Sequence, residues 1–107
     1  MQELSINMLE SYLREHYGDT GNEQSLFMKL VEEMGEVAEL LNIRAGRKAG
    51  DACSDNELAE ELADVIHYAV AIASINNIDL AASILEKDQR AAKKYNHSIN
   101  LTDYMKG

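Results

Sequence analysis

Proline and tryptophan are both missing from the 107 residues, and cysteine occurs once, at Cys53. Without proline, no helix here is interrupted by a ring that lacks an N–H donor. One cysteine excludes an intramolecular disulfide, and no charged-then-apolar leader opens the chain, so the expected compartment is the reducing cytoplasm. Nothing approaches the ~20 consecutive apolar residues of a membrane span. Positive charge is also scarce, with ten basic residues against nineteen acidic ones and a formal net charge of -9. That balance opposes an electrostatic grip on nucleic acid or on an anionic membrane, so neither is expected as a partner. A polyanionic ligand would have to arrive with metal ions. A hydrophobic content of 46% excludes disorder. The length falls below the roughly 150 residues of one typical domain, so residues 1–107 are read as a single domain.

What remains is helical patterning, because no run alternates apolar and polar residues for long enough to make a strand. A first helix is expected over about Leu4 to Tyr17, closed by Gly18. A second follows Gly21 and Asn22 and keeps a 3.6-residue apolar period to about Arg44. The stretch Gly46 to Asp55 has no period and reads as a loop. Ser54 followed three residues later by Glu57 is a capping-box signature for a third helix ending near Asn76-Asn77. A fourth is expected over about Asp79 to Tyr95, with Lys93 and Lys94 at the end that favours cations. The tail from Asn96 is left unassigned. The expected fold is an all-α, four-helix up-and-down bundle. The third helix is apolar nearly all round from Ala69 to Ile75, so the bundle is expected to associate through its helices as a dimer or tetramer. Met8, Met28 and Met34 are assigned to gaps in the core.

The acids are not confined to the solvent side of these helices. With ~100° per residue and Glu33 at zero, Leu26, Val37, Leu30, Leu41 and Met34 fill the next ~100° of helix two, Leu40 lies at ~-20° and Glu36 at ~-60°. With Glu61 at zero, Ile72, Val65, Leu58, Ala69 and Leu62 fill the same arc of helix three, Tyr68 lies at ~-20° and Asp64 at ~-60°. The same relation of acids to apolar arc is therefore written twice. The 24 residues between Glu36 and Glu61 allow a turn-back that sets the helices antiparallel and the four carboxylates face to face. Ionised carboxylates converging in a half-buried place repel one another and lose hydration, so they take up protons or hold a cation. Oxygen-only donors point to a hard metal, Mg²⁺ first and Mn²⁺ as a substitute. Cys53, His16, His67 and His97 are too scattered for a zinc site.

Leu30-Val-Glu-Glu-Met-Gly-Glu-Val-Ala-Glu-Leu-Leu41 and Glu60-Glu-Leu-Ala-Asp-Val-Ile-His-Tyr68 resemble the two acidic motifs of the MazG-like all-α nucleoside triphosphate pyrophosphohydrolases. The resemblance continues through Asn77-Ile-Asp-Leu80 and Ile84-Leu-Glu-Lys87 to Lys93-Lys-Tyr95, and is closest to the small dCTP pyrophosphatase-like group. It implies cleavage of a (deoxy)nucleoside triphosphate between the α and β phosphates, giving the monophosphate and pyrophosphate. Glu33, Glu36, Glu61 and Asp64 match the family's Mg²⁺ ligands. Tyr68 matches a tyrosine that helps to hold the nucleotide. Lys87, and after it Arg90 and Lys94, are the phosphate-binding candidates on helix four. Lys29 is either a further phosphate contact or an ion-pair partner of Glu33 four residues on. Arg47 and Lys48 in the loop are additional phosphate candidates. Glu32, four residues before Glu36, is the candidate general base.

Three departures bear on specificity. Ala91 stands where relatives often have asparagine, Ile43 replaces an aromatic of the dCTP-specific group, and no tryptophan is available, which leaves Phe27 or the tyrosines to stack on a base. Two other readings compete with hydrolysis of common triphosphates: a non-catalytic helical adaptor or antitoxin-like partner, and a sibling enzyme acting on phosphoribosyl-ATP.

Overall fold

The computed structural model describes residues 2–46, 50 and 54–107, and these residues contain five α-helices and no strand. They are α1 (Ile6–Tyr17), α2 (Glu23–Arg44), α3 (Asp55–Ile75), α4 (Leu80–Lys94) and α5 (Leu101–Met105), with a single 3₁₀ turn, Gly18–Thr20, between α1 and α2. Arg47, Lys48 and Cys53 lie outside the described residues. No single described helix is long and apolar enough to cross a membrane.

Each helix begins where a short polar side chain satisfies a free N–H of the first turn. Ser5 Oγ accepts from the N–H of Met8, Asn22 Oδ1 from Ser25, Ser54 Oγ from Glu57, Asp79 Oδ1 from Ala82 and Asn100 Oδ1 from Asp103. α1 ends at Gly18, whose φ of 49° is open to a residue without a Cβ. The expected start at Leu4 gives way to Ser5 as the capping residue, and the capping box at Ser54 forms as the spacing predicts.

α2 and α3 pack against each other along their lengths, and two contacts fix them as antiparallel. At one end Asn76 Nδ2 donates to Glu23 Oε1 (3.2 Å), and at the other Arg44 Nη2 pairs with Asp55 Oδ1 (2.7 Å). α1 lies on α3, and the buried core forms there: Leu13, Leu26, Val70 and Ala71, with Ile6, Leu9, Tyr17, Tyr68, Ile72, Ile75 and Leu80 around it. Gly21 lets the chain enter α2 close to α3, since a Cβ on it would meet Ile75 Cγ2 at 2.8 Å.

The fourth helix departs from the expected up-and-down course. α4 is bent 106° from α3 instead of folding back along it. Only four residues join the two helices; Asn77 among them has φ 55°, and Ile78 N–H returns to the carbonyl of Ala73. The start of α4 is pinned over α1 by Glu10, which is 5% exposed. Its Oε1 accepts from Leu80 N–H (3.1 Å) and its Oε2 pairs with Arg14 (3.1 Å), whose Nε reaches the carbonyl of Ser74 (3.4 Å). α5, in the unassigned tail, is tied back to α4 by Asp88 Oδ2, which accepts from Leu101 N–H (2.6 Å), and by Gln89 on Thr102.

The result is open. The radius of gyration is 16.8 Å, against about 13 Å for a compact chain of this length. On α2 the buried edge of the apolar arc is Leu26, while Phe27, Val31, Met34 and Leu41 are exposed; on α3 Leu62 and Ile66 are exposed. Met8, Met28 and Met34 also lie at the surface and not in core gaps. In both helices the exposed stripe lies on the far side of the helix contact from Glu36 and Asp64. Because the helices are antiparallel and wind in the same sense, the two stripes share one face of the hairpin and the two acids share the other.

Candidate active site

Three of the four expected ligand carboxylates converge. Glu33 on α2 and Glu61 and Asp64 on α3 each offer an oxygen within 4.8 Å of the others. Glu33 and Glu61 are half-buried and Asp64 is exposed, as expected for acids at the margin of an apolar arc. Glu36 stands outside this trio but close enough to Glu61 to be its strongest electrostatic neighbour.

Glu61 shows what the arrangement costs. Its carboxyl is pushed up to about 8, first because a proton there is shared with Glu36 and then with Glu33, with burial and the two neighbouring negative charges acting in the same direction. Its Oε2 is closed off from solvent and has no hydrogen-bond partner. A buried carboxylate oxygen without a donor is unfavourable unless a proton or a cation supplies the missing partner. Hard oxygen donors, clustered negative charge and an orphaned oxygen together fit a divalent cation such as Mg²⁺. A groove of about 280 Å³ lined by Glu36, Glu39, Leu40, Glu57, Glu60 and Glu61 extends the acidic surface from this point. A larger hollow, about 430 Å³, lies elsewhere, between the end of α4 and α5, and includes none of the trio.

The other predicted residues divide. Tyr68 is half-buried one turn beyond Asp64, with its ring centroid 4.8 Å from that of His67. Lys29 pairs with Glu32 (3.4 Å) and not with Glu33; both side chains are about 60% exposed, so the pair contributes little to stability. Lys87, Arg90 and Lys94 are exposed on α4, which packs on α1 and α5, and no ion pair links them to the acids. Lys94 lies over the ring of Tyr95 instead, 5.4 Å from its centroid.

Sequence reading missed one element that packs on the acid-bearing helix α3. Tyr17, at the end of α1, shares a 2.8 Å hydrogen bond with His67 Nε2. Burial, and after it the neighbouring Tyr68, raises the Tyr17 hydroxyl above the usual tyrosine range. The two residues are 50 positions apart, and only the packing of α1 on α3 brings them together.

Antiparallel helices that each contribute acids to one cluster are the frame of an all-α nucleotide hydrolase, and residues 21–98 match the MazG nucleotide pyrophosphohydrolase domain. The chain belongs to that family. It is 36% identical over 76 residues to dCTP pyrophosphatase 1 of Bos taurus and equally to that of Homo sapiens, matches that take in 67% of this chain and 45% of each relative. The chain thus spans less than half the length of these relatives. The uncharacterized protein YpjD of Bacillus subtilis is 34% identical over 73 residues, 67% of this chain and 62% of that one. Among solved structures, the crystal structure of iMazG from Vibrio DAT 722 superposes with a TM-score of 0.65 at 30% identity, covering 88% of this chain and all of that one.

Proposed function

We propose that this protein hydrolyses (deoxy)nucleoside triphosphates between the α and β phosphates in a Mg²⁺-dependent reaction, removing unwanted nucleotides from the cytoplasmic pool. The observation that carries the reading is the Glu33, Glu61 and Asp64 trio with its partnerless Glu61 oxygen, set on the two acidic helices of a nucleotide pyrophosphohydrolase domain. Glu33, Glu61 and Asp64 would hold the metal, with Glu36, the neighbour of Glu61, as the fourth carboxylate. Bound there, Mg²⁺ or Mn²⁺ would neutralise the triphosphate, polarise the α-phosphorus and lower the pKa of the attacking water. The protein's own contribution is to bring three acids together from two helices and to close one oxygen of Glu61 off from solvent. Glu32, exposed and paired with Lys29, takes the proton of the attacking water. Tyr68 contacts the nucleotide, and Lys87, Arg90 and Lys94 supply cations for the phosphates when α4 of one copy approaches the acids of another.

The last point requires a further copy on the acid-bearing face of the hairpin, and association of the chain has separate support on the opposite face. The exposed stripe of Phe27, Val31, Met34 and Leu41 beside Leu62 and Ile66 is a face suited to a second copy of the chain, making a dimer or tetramer. It favours self-association over the adaptor reading, because the helices that carry it are those that carry the acids.

The test is a panel of common and modified triphosphates, with phosphoribosyl-ATP included, assayed for pyrophosphate and orthophosphate with Mg²⁺, Mn²⁺ or EDTA. Pyrophosphate release that EDTA abolishes is the expected outcome. No release from any substrate with either metal would remove the hydrolase reading and leave the adaptor, for which Glu33→Gln and Asp64→Asn are neutral.

A further inference from the structure

We infer that His67 is a positioning residue for Tyr17, and that the Tyr17 ring, held at a fixed angle by their hydrogen bond, is the surface on which the nucleobase rests. The inference builds on the proposed hydrolysis and names a specificity element within that site. Glu61, Asp64 and Tyr68 occupy successive turns along one side of α3, which puts Tyr68 about 6 Å along the axis from Asp64. His67 lies against Tyr68 in an edge-to-face contact and reaches across to α1, where the ring centroid of Tyr17 is 5.9 Å away. Tyr17 is in turn edge-on to His16 (4.8 Å). The aromatic wall therefore starts within a turn or so of the acids that hold the phosphates, and a nucleotide anchored by its phosphates has its base at about that remove.

A tyrosine at the end of a helix has two soft torsions, and an aromatic ring used for stacking is useful only if its plane is set before the ligand arrives. The structure sets it twice. Tyr17 packs against the core cluster of Leu13, Leu26, Val70 and Ala71, and the 2.8 Å bond to His67 Nε2 fixes the tip of its ring. No tryptophan is present to take this part, and Phe27 is on the exposed apolar face of α2, which the wheel places away from Glu36 and Asp64.

The experiment measures kcat and KM on the substrate panel for Tyr17→Phe, His67→Leu, His67→Gln and the double variant Tyr17→Phe/His67→Leu, with melting curves alongside. Tyr17→Phe keeps the ring and loses only the tether, so it serves if a His67 variant fails to fold. KM is expected to rise about 3- to 10-fold in Tyr17→Phe and in His67→Leu, the size of one lost hydrogen bond, with kcat within twofold. The double variant is expected to be no worse than either single one, because both remove the same bond, and His67→Gln, which can still donate to the hydroxyl, to recover most of the loss. The spread of KM across bases should narrow in the tether variants. Unchanged KM in Tyr17→Phe, additive effects in the double variant, or a fall in kcat alone would overturn the inference while the unaltered protein still releases pyrophosphate. Absence of turnover by the unaltered protein would overturn the hydrolase reading, and this inference with it.

Discussion

Glu10 is the acid that a stability measurement should find. One carboxylate oxygen accepts from Leu80 N–H, the first N–H of α4, and the other pairs with Arg14. Glu10→Ala removes a bond in which the acceptor is charged, worth about 1.5–3 kcal/mol, and leaves the Leu80 N–H partly buried without an acceptor. It also takes a negative charge away from the positive end of a 15-residue helix, a further 0.3–1 kcal/mol or so. These contributions overlap, because the bond to Leu80 is part of the helix-end interaction. A total of about 1.5–3 kcal/mol, less than their sum, is therefore expected. Glu10→Gln keeps an acceptor for Leu80 and loses the ion pair, so about 1–2 kcal/mol is expected. The assay is urea unfolding followed by far-UV circular dichroism at one fixed protein concentration, so that any association cancels. Hydrogen exchange at residues 80–84 should accelerate in Glu10→Ala more than in Glu10→Gln. If both variants unfold within 0.5 kcal/mol of the parent, Glu10 is not what fixes α4 over α1.

The remaining expectations are shorter. Leu13 has no exposed surface, so Leu13→Ala should cost about 3–5 kcal/mol in the same unfolding assay. Gly21→Ala should cost about 1–3 kcal/mol by forcing a Cβ against Ile75, whereas Gly35→Ala, with open space around the new Cβ inside α2, should gain about 0.5–1 kcal/mol; a gain at both positions would contradict the close approach at Gly21. Glu61, raised to about 8 in the fold, holds a proton that the unfolded chain gives up near 4.5. Its contribution to stability is complete below pH 4.5 and is lost as pH rises to about 8, so the metal-free melting temperature should fall across that window. Glu61→Gln should flatten that slope and abolish stabilisation by Mg²⁺; a slope that survives the substitution would place the titration elsewhere.

Much of this molecule can be read in its residues because helices announce their own limits. Gly18, Ser54 with Glu57, and Asn77 mark ends that the structure keeps, and the repeated placement of acids beside an apolar arc marks the trio before any coordinate does. The failures share a cause. The direction of α4 depends on Glu10, an acid in α1 whose burial follows from the helix that lies over it. α5 has five residues and no room for a period, and it holds because Asp88 and Asn100 serve its first turn. The bond from Tyr17 to His67 links residues whose local patterns say nothing of each other. The apolar arc of α2 was legible as apolar, but a wheel cannot tell a face covered by the same chain from one left open.

That open face bears on how variation in this protein is to be interpreted. Phe27, Val31, Met34 and Leu41 ride on the same rigid rod as Glu33 and Glu36, so a slight rolling of α2 displaces both sets together. Whatever covers the apolar stripe therefore acts as a splint for the acids on the reverse. A mutational scan scored by turnover alone would flag these greasy positions as if they met the substrate, and a companion scan scored by melting temperature is what would tell the splint from the site.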